Sequence, residues 1–170
     1  LLFGLVFIIS LSNSRIKFKH RWMDVVFGMM IGLVTIFIML NAWEMQKGVF
    51  FDTRSVMIGI TSLFFSYITG FVAALIAVAY RIYAGGVGVY AGVLSILFPL
   101  LIGWIWKKYF DHKIKINRFL KLYIYGLVVH IFVVLSQLTI PYPENIEAIG
   151  NVGLIMLVFF PIATMLLGIA

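Results

Sequence analysis

Residues 55–83, SVMIGITSLFFSYITGFVAALIAVAYRIY, form an apolar run of 29 residues, too long for one ordinary membrane span. A span needs about 20 apolar residues to cross a hydrocarbon core of about 30 Å. One helix or two broken limbs can account for it, and the flanking charge separates these readings. Basic residues gather in two loops. Residues 12–24 hold Arg15, Lys17, Lys19 and Arg21; residues 107–121 hold Lys107, Lys108, Lys113, Lys115, Arg118 and Lys121. The positive-inside rule places both loops in the cytoplasm. That demands an even number of crossings between them, whereas the apolar runs 25–42, 55–83 and 89–106 make three. A break within Ser66-Tyr67-Ile68-Thr69-Gly70, where glycine lowers helix propensity and admits turn geometry, makes four. The limbs are then 53–65 and 68–83. Ten Lys and Arg fall inside against three outside (Lys47, Arg54, Arg81), compared with eight against five for an unbroken span. The broken hairpin is the expectation. Its first limb, about 20 Å long at about 1.5 Å per residue, must tilt, thin the bilayer or lie buried among neighbours.

The rest of the chain agrees with a membrane reading. Hydrophobic residues make up 64% of the 170, charged residues 11%, and mean hydropathy is +1.13. A soluble domain of this length could not hide that much apolar surface. Further apolar runs cover 1–11 (clipped at its start), 119–140 and 152–170. The fold class is therefore an all-α membrane protein, a polytopic helical bundle of about six or seven transmembrane helices. Residues 1–24 are expected to be a clipped N-terminal helix and basic cytoplasmic loop, and 25–170 a transmembrane domain. The chain opens and closes inside apolar runs, as an excised segment would, and no signal peptide is recognisable. Loop 141–150, with Glu144 and Glu147, is expected outside. Tyr142 and Trp43 would be interfacial aromatics on that side, and Trp104 and Trp106 on the other.

Several chemistries are excluded. There is no cysteine, so no disulfide frame or thiolate site. His20, His112 and His130 are scattered, which speaks against a metal. The net charge of +7 sits between apolar runs, not in a nucleic-acid-binding patch. No paired carboxylates, nucleophile elbow or cofactor motif appears, and Gly85-Gly86-Val87-Gly88 lacks the lysine and hydroxyl residue of a phosphate-binding loop. The segment reads as non-catalytic and without a cofactor.

The hairpin has a chemical consequence. An unbroken helix would hold Arg54 and Arg81 about 40 Å apart; the break folds both to the extracytoplasmic end. Arginine beside apolar segments implies a partner or a functional cavity. Two guanidiniums facing one cavity suit a small carboxylate or phosphate. The following helix start, after Ala84-Gly85-Gly86-Val87-Gly88, adds free N–H groups. Ser95 can donate a hydroxyl hydrogen bond, and Gly92 leaves space on nearly the same face. The plainer reading pairs Arg54 with Asp52, or has it snorkel to the interface, and makes Arg81 an ordinary helix-end arginine. Asp52 is either a helix cap, the favoured reading, or an orienter of an arginine. His130 and Gln137, seven apart, share a helix face and are expected to make interhelical hydrogen bonds, with a proton-relay role as the second reading.

The run Gly48-Val49-Phe50-Phe51-Asp52-Thr53-Arg54-Ser55, followed by Tyr80-Arg81-Ile82-Tyr83-Ala84-Gly85-Gly86 and Ala91-Gly92-Val93-Leu94, resembles the membrane sensor of the LytS/YhcK type. This is the five-transmembrane receptor family found ahead of histidine kinase or diguanylate cyclase domains in bacteria. The resemblance covers roughly residues 25–170. It implies a sensory input domain in the bacterial plasma membrane, multi-pass, with a cytoplasmic C-terminus joined to an output domain, and homodimeric like such outputs. It also implies signalling in a two-component phosphorelay or by diguanylate cyclase, and for kinase-linked relatives a small carboxylate such as pyruvate and control of the cell wall. The matching ligand residues are Arg54, Arg81 and Ser95. Asp52 stands where kinase-linked relatives have asparagine, which points to the cyclase-linked branch. Ser66-Tyr67-Ile68 stands where relatives have Gly-Gly-Pro. The hairpin also resembles the substrate-binding membrane subunits of vitamin transporters, which gives the alternative function.

Overall fold

A computed structural model describes residues 21–46, 49–110 and 116–169. The expected N-terminal span 1–11, the basic residues Arg15, Lys17, Lys19, Lys47, Lys113 and Lys115, and His20 and His112 lie outside the described residues. Helix α1 (Arg21–Leu40) leads into strands β1 (Trp43–Gln46) and β2 (Val49–Phe51). These pair antiparallel, Trp43 opposite Phe51 and Glu44 opposite Phe50, with one irregularity between Glu44 and Gln46. Then come α2 (Arg54–Phe64), α3 (Tyr67–Ala84) and α4 (Val89–Ile105), the last extended by a π-helical turn at Trp106–Phe110. Helix α5 (Arg118–Ser136) ends in a 3₁₀ turn. Helix α6 (Glu144–Ala148) runs through a second π-helical turn into α7 (Leu154–Ile169). Five of these runs are long and apolar enough to cross a membrane, and α2 is a shorter apolar helix. An outward belt of apolar side chains, among them Phe37, Phe71, Leu75, Leu135 and Phe159, is exposed as a lipid-facing surface requires.

The expected break is present, and a serine makes it. The chain leaves α2 at Phe65 in an extended conformation, and Ser66 starts α3 by accepting the Thr69 N–H through its hydroxyl at 3.1 Å. That is the ordinary chemistry of a helix N-cap. Gly70, expected to contribute to the break, lies inside α3 and faces Leu100, Trp104 and Ser62. The Lys107 ammonium donates to the Phe65 carbonyl, which satisfies an acceptor that the end of α2 leaves open.

Because α2 is short, it cannot reach both bilayer faces, and the bundle encloses it instead. Every residue from Arg54 to Leu63 is buried. Helix α2 packs most extensively on α4 and also touches α1, α3, α5 and α7. The outer helices pair α1 with α3 and α5 with α7, with α4 between α3 and α5. Gly28 and Gly32, one turn apart, let α1 approach α3. A Cβ at Gly28 would stand 2.7 Å from the Val72 Cβ, and one at Gly32 2.9 Å from the Ile76 Cβ. In lipid, where apolar side chains gain nothing by leaving solvent, such small-residue contacts carry association.

The connections leave Arg21, Lys107, Lys108, Arg118 and Lys121 at one end of the bundle and Arg54 and Arg81 at the other. The end of α7 is at the basic end, where Arg118 donates to the Gly168 carbonyl at 3.0 Å. Two expectations fail locally. Trp106 is not an interfacial aromatic: only 7% exposed, it packs on Tyr125 and Phe110, each 5.4 Å away between ring centroids. The π-helical turn that begins there adds a residue to the turn and changes the direction in which side chains point. Gln137 makes no described interhelical bond. It sits in the 3₁₀ turn and its amide donates to the Val133 carbonyl of its own helix.

Candidate anion-binding site

The end of the bundle away from the lysines gathers the start of α2, the last turn of α3, the first turns of α4 and strand β2. Asp52, two residues ahead of Arg54, is not the N-cap of α2, as favoured from sequence: Thr53 holds that position and makes no side-chain cap bond, while Asp52 takes the other role and orients the arginine. One carboxylate oxygen accepts the Arg54 backbone N–H at 2.8 Å, and the other pairs with the Arg54 guanidinium at 3.0 Å. The carboxylate therefore holds the backbone and the side chain of the same arginine and aims the cation. The Arg54 Nε donates to the Ser95 hydroxyl on α4 at 3.2 Å, and Ser95 in turn donates to the Gly92 carbonyl at 2.8 Å. Arg54 does not snorkel: it is 6% exposed.

Arg81 approaches from α3. It is 1% exposed, and one terminal nitrogen donates to the Gly85 carbonyl at 2.6 Å. Gly85 follows α3 with a φ of 67°, a left-handed conformation for which glycine is suited and which ends the helix. The guanidinium lies 5.4 Å from the centroid of the Phe50 ring on β2, a cation–π contact. Its stem passes over Gly92, where a Cβ would stand 2.1 Å from the Arg81 Nε and 2.8 Å from its Cδ. Glycine at 92 is the space into which the arginine fits.

All five residues singled out from sequence are thus brought to one place: Asp52, Arg54 and Ser95 by hydrogen bonds, and Arg81 and Gly92 by contact. The site has two cations and one carboxylate. Among the described residues, the buried Arg81 Nε has no hydrogen-bond partner. Buried polar groups are normally satisfied, and a buried charge without full compensation is costly. An anion with two acceptor oxygens would supply both needs.

Sequence reasoning missed two participants. Phe50 was unseen because the β-hairpin was unseen; its strands are only four and three residues long. Ser55 lies next to Arg54 but bonds in another direction, to His130 Nε2 at 3.2 Å. The His130 Nδ1 is 2.7 Å from the Gly126 carbonyl. A carbonyl only accepts, so Nδ1 carries the proton and Nε2 accepts from the serine. The imidazole meets Phe160 of α7 edge-on, with 5.1 Å between centroids, and Phe160 stacks on Phe51 of β2. The expected interhelical bond of His130 is therefore present. It leads from the residue beside Arg54 to the last helix.

The family model described as 5TMR of 5TMR-LYT matches residues 5–170. No curated protein and no solved structure matches the chain.

Proposed function

The chain belongs to the five-transmembrane receptors of the LYT type, membrane sensory domains of signalling proteins that are themselves non-catalytic, and from that premise we propose that it binds a small carboxylate between Arg54 and Arg81. The observation that carries the reading is the buried Arg81 guanidinium with an unpartnered Nε, beside a second arginine and a single carboxylate. A carboxylate accepts two parallel N–H bonds from a guanidinium, which gives directionality as well as strength. The start of α4 supplies further backbone donors, while Ser95, whose proton goes to the Gly92 carbonyl, positions Arg54. With the lysine-rich end in the cytoplasm, as the positive-inside rule asks, the site opens to the outer side and α7 ends inside, where an output domain of the kinase or cyclase kind would follow.

Signalling then requires that the anion favour one arrangement of the helices over another. The path best supported by contacts runs from Arg54 to its neighbour Ser55, across to His130, and on to Phe160 of α7. Binding that shifts the first turn of α2 would bear on α7 through these groups. The test is calorimetry or thermal shift with acetate, pyruvate, lactate and phosphate on the purified protein, and on Arg54→Ala and Arg81→Ala. The expected result is binding by the parent protein that falls in both variants. Equal affinity in all three proteins would remove the site.

A further inference from the structure

A second opening in the molecule lies outside the arginine cluster. It is a cavity of about 510 Å³ running between α1 and α7 over the flank of α2. Its outer end carries Asn41, Trp43 and Thr53; deeper, Val56, Met57 and Ala163 line it with apolar groups. It meets the arginine cluster only at Asp52. Among the described residues, α1 and α7 are not extensively packed on one another. Leu40 and Leu166, next in sequence to the lining residues Asn41 and Leu167, are 63% and 59% exposed on the outside of the bundle.

We propose that this groove seats one acyl chain of a membrane phospholipid, with its headgroup at the Asn41–Trp43–Thr53 end. Three points favour that occupant. The volume falls within the range of about 300–1,000 Å³ usual for ligand sites. Water does not fill the deep part, because a buried water needs two to four polar partners and Val56, Met57 and Ala163 provide no side-chain donor or acceptor. Acyl chain is the apolar matter that a bilayer supplies in bulk. The polarity gradient matches an amphiphile: amide, hydroxyl and indole at the rim, where aromatic side chains favour headgroup depth, and aliphatic surface below.

The experiment uses the full chain in phosphatidylethanolamine and phosphatidylglycerol vesicles doped with a phospholipid bearing a diazirine at mid-chain. After irradiation, adducts are mapped by peptide mass spectrometry. Val56 and Met57 are each only 2% exposed and line the groove, so the small part of each that shows is reached from within the groove and not from the outer belt. Adducts on Met57 and Val56, in addition to those on Leu40 and Leu166, are expected. Ala163→Trp should fill the groove and lower the Met57 adduct at least tenfold while Leu40 and Leu166 are labelled as before. Ala163→Leu, a smaller addition, should lower it partly, and serves where the tryptophan variant does not fold. Adducts confined to Leu40 and Leu166 in the parent protein would overturn the proposal, assigning the groove to another part of the chain or to a second copy. Met57 labelling that survives both substitutions would overturn it too.

Discussion

Gly92 offers the sharpest test of how the site is built, since the space it leaves is defined by a single missing carbon. In Gly92→Ala the new Cβ would stand 2.1 Å from the Arg81 Nε, 2.8 Å from its Cδ and 3.1 Å from its Cγ. Real Cβ atoms do not approach so closely, so the arginine stem must swing aside. Helix α4 itself is unharmed, because alanine is the better helix former. The loss therefore falls on the guanidinium's grip on an anion. A hydrogen bond to a charged group contributes about 1.5–3 kcal/mol, which converts to a weakening of about 10- to 100-fold in carboxylate Kd. Gly150→Ala is the matched control, since a Cβ there meets nothing within 4 Å. Calorimetry on the two variants and the parent protein reads the difference. Carboxylate binding by Gly92→Ala within twofold of the parent protein would refute the placement of Arg81 in the site.

Other outcomes follow from named contacts. Ser66→Ala removes the hydroxyl that caps α3 and should lower stability by about 1 kcal/mol, read as a lower thermal unfolding midpoint in detergent; an unchanged midpoint would deny the cap its role. Gly28→Leu drives a side chain into Val72 and the Thr69 carbonyl and should destabilise the α1–α3 pair by about 1–3 kcal/mol, checked by the same measurement. His130→Phe removes the acceptor of the Ser55 hydroxyl without touching either arginine. It should leave carboxylate affinity within a fewfold while blunting the response of an attached output domain. Loss of both in a folded variant would make His130 part of the binding site itself, and loss of neither would break the proposed route to α7.

The architecture was legible where a global constraint reached down to a local choice. Nothing within residues 55–83 demands a break by itself. The basic loops at either side demand it, because charge is expensive on the wrong side of a membrane. Once the hairpin was drawn, the convergence of Arg54, Arg81, Ser95 and Gly92 followed from helix geometry. The same reasoning was blind to details set by short-range contacts. It looked to Gly70 for the break, whereas the Ser66 hydroxyl makes it. The hairpin at 43–51 was not visible, since seven strand residues carry too little periodicity to stand out beside helices of 16 to 20. Gln137 was misplaced because it occupies a 3₁₀ turn, where a face assignment by helical spacing fails, and Trp106, read as interfacial from its place at the end of an apolar run, begins a π-helical turn and is buried against Tyr125. Asp52 was favoured as the helix cap, yet Thr53 takes that position, and both oxygens of Asp52 go to Arg54.

The two ends of α2 bear a pattern that its burial makes meaningful. A helix carries partial positive charge at its start and partial negative charge at its finish. Asp52 stands at the former and the Lys107 ammonium at the latter. The helix is thus electrically closed at both poles, which suits the burial of ten of its eleven residues. The two closures differ in their commitments. Lys107 holds the Phe65 carbonyl and lies over the Tyr67 ring, whereas Asp52 divides itself between the backbone at the helix start and a guanidinium that an arriving anion would also court. Competition for that guanidinium would loosen one pole and leave the other fast, so that α2 pivots about its lysine end. In that picture the buried helix is a lever with its fulcrum at the basic end of the bundle, and a ligand at the arginines would work its free arm.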